Sequence, residues 1–315
     1  MSEIKDNISF HISDEEVLYL DKVLEDININ ISISMSYVKR TQKLTFSRLA
    51  EKFSGINEKA IKRYMQQSYP SMRPVHFVAA YSWVMMVPMT AFYYGFKMKE
   101  FYRGMDDHAV EVLVCIGKLP SVQFEALLSI ICSYMDSSTM SDFIKFKQQT
   151  EKEYGVIDDY NKLFPPKVLD YNLFTEDYYR SVALTVRQFR KKHNLTVDTL
   201  ARVLGISEYQ YSVLEDETKT VPFSISIGAR VKLGFKLKDH VNFTSEMQVY
   251  PEFHKLRQTQ QIRDSLIVEA LSYLTQKQKV SIVKIVVELL NLNQEDDSDE
   301  ILSEHGQPKI PTIFS

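Results

Sequence analysis

The chain has 315 residues, enough for two domains that each bury a core of their own. Its nine Gly and ten Pro are too few for the many tight turns of an all-β fold. Apolar residues recur instead at three- and four-residue spacing, which predicts an all-α protein. The formal net charge of -3 excludes a uniformly basic chain.

The ends and the cysteines indicate the compartment. The N-terminus MSEIKDNISF lacks the basic-then-apolar layout of a signal peptide, and no stretch reaches the roughly 18 apolar residues that span a bilayer. Cys115 and Cys132, the two cysteines, lie in apolar helical stretches, which favours free core thiols. We therefore expect a cytoplasmic protein, nucleoid-associated in a bacterium, with no membrane partner.

The first distinctive segment is LTFSRLAEKFSGINEKAIKRYM, residues 44 to 65. Asn57 is a good N-cap for the second of two short helices in this segment. Between residues 36 and 66, eight Lys and Arg meet two acids, a local net charge of +6. The segment is therefore a candidate for binding a polyanion, although any basic amphipathic helix presents a similar solvated face.

The following stretch, residues 74 to 95, is too apolar to face solvent. We expect Trp83, Met85, Met86, Phe92 and Tyr93 to pack against another domain, with a ligand pocket as the alternative. An apolar helical hairpin is then predicted over residues 109 to 134.

Residues 195 to 215, LTVDTLARVLGISEYQYSVLE, predict two helices joined by a tight turn. Thr196 caps a first helix and Ser207 caps a second, which runs to about Glu215. Gly205 supplies the positive φ that ends the first helix. Ala201 lies where the helices cross, and its small side chain lets the two backbones approach.

The run R-x4-L-T-x4-A-x3-G-I-S-x3-Y-S-x-L-E resembles the lambda-repressor/Cro (XRE) helix-turn-helix family over residues 182 to 238. The resemblance implies a sequence-specific DNA-binding transcriptional regulator of the phage-repressor type, with double-stranded DNA as its partner. It implies a structural ion pair between Arg190 and Glu215. It also places DNA contacts at the cap, start and middle of the recognition helix, on Ser207, Glu208, Tyr209, Gln210 and Val213.

The charge around this second motif is nearly balanced. Between residues 183 and 220, six Lys and Arg meet five acids, a net charge of only +1. Because DNA affinity comes mostly from phosphate neutralisation, this motif alone should bind DNA weakly. Two interpretations stay open here: weak DNA reading, and a helix pair that has turned to protein contacts.

The pattern occurs twice in the chain. Residues 44 to 65 align with 195 to 215, "YGFKMKE" at 94 to 100 echoes "LGFKLKD" at 233 to 239, and 110 to 131 matches 268 to 289. In the first copy, Lys39 and Met65 replace the Arg–Glu pair, and one extra residue precedes the turn glycine. We predict a duplicated unit in which each helix-turn-helix precedes a helical hairpin.

The first, basic copy is the predicted main DNA reader. Its recognition helix begins at Asn57, and the outward face carries Glu58, Lys59, Lys62 and Arg63. Lys or Arg to guanine is the commonest specific base contact. The predicted phosphate contacts flank this helix and are Lys43, Thr45, Arg48 and Lys52.

The predicted domain boundaries follow from these assignments. They are a first helix-turn-helix domain at 1–105 (motif 44–66), a hairpin and linker at 106–172, a second helix-turn-helix domain at 173–245, a C-terminal hairpin at 246–293, and an acidic tail at 294–315. The tail has six acids and one Lys, which favours disorder, with a short docking segment at IPTIFS as the alternative.

The C-terminal hairpin has a broad apolar face that needs a partner, formed by Leu271, Leu274, Val280, Val283, Val286 and Val287. That partner is either the hairpin at 109–134 of the same chain or a hairpin of another chain. We expect a homodimer, because the two hairpins and residues 75 to 94 offer more apolar surface than one chain would bury. The alternative is a monomer that binds two unlike half-sites.

No catalytic pattern accompanies these motifs. Seven histidines are scattered without metal-ligand spacing, and no glycine-rich phosphate loop or nucleophile motif occurs. We therefore expect no enzyme, cofactor or metal. The alternative function is a protein-interaction adaptor or antitoxin-like module. In either case the acidic second motif or the tail is a candidate contact for another transcription protein.

Overall fold

The computed structural model describes residues 12–93, 105–155, 160–237 and 241–292, and its helices confirm the predicted all-α class. The predicted acidic tail and the 94–100 match lie outside these residues. The helices of the first half are α1 Asp14–Leu24, α2 Ile27–Thr41, α3 Phe46–Glu51, α4 Glu58–Met65, α5 Val75–Val84, α6 Met89–Phe92, α7 Asp107–Ile116, α8 Ser121–Cys132 and α9 Ser137–Tyr154. Those of the second half are α10 Tyr171–Lys192, α11 Val197–Leu204, α12 Glu208–Leu214, α13 Ser226–Gly234, α14 Pro251–Ser272 and α15 Gln276–Leu292.

Two short strands and a 3-10 helix complete the described chain. Strand β1, Phe53–Ser54, pairs in parallel with β2, Leu169–Asp170, and the 3-10 helix is Tyr160–Leu163. The pairing places the end of the predicted linker beside the first basic motif. The buried apolar side chains form one cluster that runs from Ile12 to Leu290, across the predicted domain boundaries.

Helices α3 and α4, here called the first helix pair, are each capped by a polar side chain. Thr45 Oγ1 accepts a hydrogen bond from the Arg48 amide at 3.2 Å, and Asn57 Oδ1 accepts one from the Ala60 amide at 2.9 Å. Gly55 lies between the helices with φ of +81°. The caps satisfy amides that a short helix leaves without a partner.

Helices α11 and α12, the second helix pair, have the predicted caps and turn. Thr196 and Ser207 cap the two helices through their hydroxyl groups. Gly205 has φ of +67° in the left-handed region, where glycine is adopted without strain. Ala201 is buried, as the close approach of the two helices requires.

The duplication is visible in the backbone. In the described residues the non-glycine positions with positive φ form two pairs: Lys43 (54°) with Asn194 (50°), and Met86 (53°) with Lys236 (52°). The members of each pair are 151 or 150 residues apart, as are Gly55 and Gly205. Positive φ is uncommon outside glycine, so this agreement supports a repeat that extends from α2 to the end of α13. We call residues 27–93 the first unit and residues 171–237 the second unit.

This equivalence corrects the sequence alignment of the later blocks. A separation of 150 residues places 233–239 on 83–89, eleven residues before the 94–100 stretch that it resembles in sequence. In the hairpins, the turn residue Leu119 corresponds to Leu274, which is 155 residues on, whereas the sequence match used 158. Eleven and three residues are close to whole helical turns, so the apolar pattern survives either shift.

The two units are joined by backbone pairing between equivalent segments. An antiparallel bridge connects Pro74 with Ser224. The Val75 amide donates to the Phe223 carbonyl at 2.9 Å, and the Ile225 amide donates to the Arg73 carbonyl at 2.8 Å. Because 73–75 and 223–225 are 150 residues apart, each hydrogen bond is the counterpart of the other. The bridge therefore has approximate two-fold symmetry.

The hairpins pair within the chain. Helix α7 packs on α15, and α8 packs on α14. Of the residues predicted to form the dimer face, Leu271, Leu274 and Val286 are buried in this intramolecular bundle, whereas Val280 is 39% exposed. Val283 and Val287 are half-buried. The apolar surface that motivated a homodimer is thus largely covered inside one chain, which removes the reason for that expectation.

The apolar stretch after the first helix pair lies in the core, as expected. Helix α5 is buried along its whole length. Trp83 donates a hydrogen bond from Nε1 to the Leu163 carbonyl at 3.1 Å and packs beside the rings of Phe174 and Phe253. The stretch therefore packs against the second half of the chain.

His76 lies at the joint between the two units. Its Nδ1 is 2.8 Å from the Tyr179 hydroxyl and its Nε2 is 2.7 Å from the Tyr171 hydroxyl. The Tyr179 hydroxyl also accepts a hydrogen bond from the Phe223 amide at 2.9 Å. Burial lowers the pKa of His76 to about 3. The joint therefore requires a neutral imidazole.

We expect His76 to make the fold sensitive to acid. An unfolded chain protonates this histidine near its ordinary pKa of about 6.5, but the folded chain resists protonation down to about pH 3. Its contribution to the free energy of unfolding is therefore complete above pH 6.5. It falls by about 1.4 kcal/mol per pH unit as the pH drops toward 3.

Urea unfolding of the wild type and of His76→Leu at pH 7 and pH 5 measures this contribution. The wild-type advantage over the variant should shrink by roughly 2 kcal/mol at pH 5, because only the wild type carries the group. Carboxylates and other histidines titrate in both proteins, so their effects cancel. An advantage that does not change with pH would contradict a neutral, buried His76.

Candidate nucleic-acid interface

Helix α4 presents a basic face to solvent. Ile61 and Met65 are buried on its inner side. Lys59, Lys62 and Arg63 are exposed on the outer side, so the structure brings together the three cations predicted to contact bases. Its first turn begins at the Asn57 cap, where amides and the helix dipole favour an anion.

These cations differ in how strongly they are held. Lys62 forms an ion pair with Glu58 one turn earlier. Arg63 stacks on the ring of Tyr69 at 5.4 Å, and within the described chain neither Lys59 nor Arg63 has a carboxylate partner. Lys59 and Arg63 therefore retain their full charge for a ligand.

Phe46 organises the basic surface in a way that the sequence did not indicate. Lys39 from α2 lies 4.5 Å above its ring, and Lys62 from α4 lies 5.5 Å from it. Lys39 also donates a hydrogen bond to the Leu44 carbonyl at 3.0 Å. Lys39 occupies the position of the missing family arginine, but it holds a carbonyl and a ring instead of a glutamate.

The four flanking residues predicted to contact phosphates surround the first helix pair. Arg48 is exposed and pairs with Glu51 at 3.3 Å. Lys43 is exposed and reaches Asn291 at 3.3 Å, and Thr45 serves as a cap. Lys52 is half-buried. Of the four, Lys43 and Arg48 offer exposed charge for a phosphate, and Thr45 offers the start of a helix.

Lys52 also lies close to a second cation. Burial, together with the charge of Lys52, lowers the pKa of Lys118 to about 8. Lys118 stands in the turn of the first hairpin, where it follows α7. Lys52 therefore faces the hairpin as well as solvent, which weakens its assignment as a phosphate contact.

Helix α12 presents a different face. Glu208 and Gln210 are exposed, and the Tyr209 side chain is 77% exposed, whereas Val213 is half-buried against the core. The Gln210 side-chain oxygen accepts a hydrogen bond from the Ser207 amide at 2.9 Å, which completes a capping box. This bond corrects the expectation that Gln210 reads adenine, because a two-bond contact needs that oxygen free.

The ion pair implied by the family resemblance is present. Arg190 Nε and Nη2 donate to the two carboxylate oxygens of Glu215 at 2.7 and 2.9 Å, and the Tyr211 hydroxyl donates to Glu215 at 2.6 Å. Burial opposes ionisation of Glu215, but these hydrogen bonds outweigh it and lower the pKa of the carboxyl. The pair ties α10 to the end of α12.

Helix α1 neutralises cations of the second unit. Asp14 pairs with Arg202, Asp21 with Arg230, and Glu16 with Lys236. Six residues carry these contacts, and Arg202 and Arg230 both stand beside the turn of the second helix pair: Arg202 lies on α11, and Arg230 donates to the Val203 carbonyl. The second unit is therefore less basic in three dimensions than its net charge of +1 indicates.

Comparison of the chain with protein-family models, curated proteins and solved structures gives no match. Within the described residues, none of the helices has the length and apolar character to cross a membrane. The same residues contain no cluster of His, Cys, Asp and Glu suited to a metal ion.

We expect the Arg190–Glu215 pair to stabilise the second helix pair. Replacing Glu215 by Ala leaves a largely buried guanidinium without its carboxylate, and the free energy of unfolding should fall by about 2 kcal/mol. The matched control is Glu217→Ala, whose carboxylate is exposed and 3.9 Å from Arg187. That variant should lose less than about 0.5 kcal/mol in urea unfolding. Equal losses in the two variants would contradict a structural role for Glu215.

Proposed function

We propose that the chain is a sequence-specific DNA-binding transcriptional regulator. In this proposal both helix pairs are helix-turn-helix units of the lambda-repressor/Cro type, with α4 and α12 as recognition helices. The first unit is the main reader. The observation that carries the proposal is the outer face of α4, where Lys59 and Arg63 stand exposed and without a carboxylate partner on a capped helix.

The physical basis is charge and geometry together. The net charge of +6 over residues 36 to 66 supplies the phosphate neutralisation that dominates DNA affinity. A recognition helix needs a few long cationic side chains that reach base edges from its N-terminal half and middle. Lys59, Lys62 and Arg63 meet this need, and Lys43 and Arg48 lie where they would hold the backbone.

The second unit supports the family assignment by its internal structure. The positive φ at Gly205, the capping box at Ser207 and the Arg190–Glu215 pair all occur where the resemblance implies them. These features concern folding and not DNA contact. They support a helix-turn-helix fold for the second unit, and the repeat extends that support to the first.

A second candidate function is protein binding through α12. Its outer face offers an exposed tyrosine at position 209 next to Glu208, while nearby cations are paired with α1. Exposed tyrosine is typical of protein interfaces, and an acidic face is repelled by phosphates. This observation favours an adaptor role for the second unit, which is compatible with DNA reading by the first.

Removal of the free cations of α4 should abolish specific DNA binding. We expect the double variant Lys59→Ala/Arg63→Ala to lose roughly 1–3 kcal/mol per base contact, so that affinity for a selected site falls at least 30-fold. Glu208→Ala/Tyr209→Ala should change affinity less. A mobility-shift titration with a site selected from random DNA measures both.

The control for charge is Lys152→Ala/Lys277→Ala, which removes two exposed cations on α9 and α15. It should bind within a few-fold of the wild type. If the α12 variant proves the more damaging, the assignment of the main reader is wrong. If no sequence is enriched by the wild type, the DNA-binding proposal itself fails.

The flanking cations should act on every sequence alike. We expect Lys43→Ala and Arg48→Ala each to weaken specific and non-specific binding by a similar factor. Each should lower the slope of log affinity against log salt by about 1, because one phosphate contact is lost. Titrations at several salt concentrations test this. A variant that changes the preferred sequence but not the salt slope would contradict a phosphate contact.

A further inference from the structure

We propose that a single chain binds a composite DNA site made of two unlike half-sites, with the two units acting as the halves of an internal dimer. This inference rests on the proposed function. It replaces the homodimer expected from the sequence, because the fold already supplies a second reading unit in a fixed position. Four independent features of the joint carry it.

The first feature is the reciprocal bridge. The two hydrogen bonds between 73–75 and 223–225 exchange places when the units are interchanged. Only a two-fold arrangement of two equivalent segments produces such a pair. A head-to-tail tandem would join non-equivalent segments.

The second feature lies beside the bridge in each unit. The Arg73 amide donates to Asn28 Oδ1 at 2.7 Å, and the Phe223 amide donates to the Tyr179 hydroxyl at 2.9 Å. Arg73 and Phe223 are equivalent, and Asn28 and Tyr179 are 151 residues apart, the same separation as Lys43 and Asn194. The polar contact survives although the residue types differ.

The third and fourth features lie outside the bridge. Helix α10 packs on α5, and its counterpart packing joins α1 to α13. In the hairpins, α7 packs on α15 while α14 packs on α8, which is the exchange pattern of a two-fold pair. The approximate symmetry therefore extends over both units and both hairpins.

A two-fold axis has a direct consequence for DNA. Elements related by the axis lie at the same height along it, so α4 and α12 present their outer faces toward the same end of the molecule. DNA half-sites about one helical turn apart are read by two units that share such an axis. One chain therefore meets the geometric requirement that repressors ordinarily meet by dimerisation.

The two recognition faces are chemically unlike. Lys59, Lys62 and Arg63 of α4 correspond to Tyr209, Ser212 and Val213 of α12. The cationic face suits guanine edges, whereas the α12 face has no cation at any of these positions. The bound site should therefore have one strongly specified half and one weakly specified, different half, without a palindrome.

The experiment combines selection from random DNA with light scattering of the full chain on the selected site. We expect one chain per DNA and a footprint that covers two unlike half-sites. Two chains per DNA on an inverted repeat would overturn the internal dimer while leaving DNA binding intact. A footprint limited to one half-site would also overturn it. Absence of any enriched sequence would instead refute the proposed function.

A matched variant makes the test sharper. Tyr209→Lys/Ser212→Lys gives α12 the cations of α4 at two exposed positions and leaves the Gln210 cap and the half-buried Val213 in place. We expect the selected site to become more palindromic while the complex still contains one chain. If a double variant unfolds, Tyr209→Lys alone is the fallback, since that side chain is 77% exposed. An unchanged second half-site in the folded variant would overturn the inference.

Discussion

The arrangement of the whole molecule depends on the backbone pairing between 73–75 and 223–225. Two amide–carbonyl bonds contribute little free energy by themselves, about 1 kcal/mol each. They matter because they align two units whose apolar α5 and α10 helices must be covered together. Breaking the alignment would expose the apolar α5 helix and unpair His76 from two tyrosine hydroxyls. The joint is therefore specified by polar groups and stabilised by apolar burial.

Most of the local structure could be predicted, because its causes lie within a few residues. Thr196, Gly205 and Ser207 each act through a cap or a turn conformation, and the sequence placed both helices of the second pair correctly. The Arg190–Glu215 pair followed from the family resemblance. By contrast, Gln210 has two competing uses, and its sequence position does not show that the capping box engages its oxygen.

The longer-range relations could not be predicted from periodicity. A helix pattern shifted by three or eleven residues still matches itself, so the hairpin and α13 repeats were misaligned by whole turns. An apolar face also does not name its partner. Leu271 and Val286 looked equally suited to another chain, and only the fold shows that the hairpin at 109–134 covers them. Phe46 and Arg73 gave no signal, since their partners come from other elements.

The two units have kept their skeleton and diverged in their side chains. Positive φ persists at Lys43 and Asn194 although neither is glycine, because the turn before the first helix of each pair requires it. At the joint, Arg73 donates to the carbonyls of residues 64, 66, 69 and 71, and so fixes the loop that follows α4, whereas its counterpart Phe223 packs beside Tyr179. Backbone geometry thus sets where the two faces lie, and side chains free of that constraint set what each face binds. A duplicated unit of this kind keeps the spacing of a symmetric dimer while each face is free to acquire its own specificity.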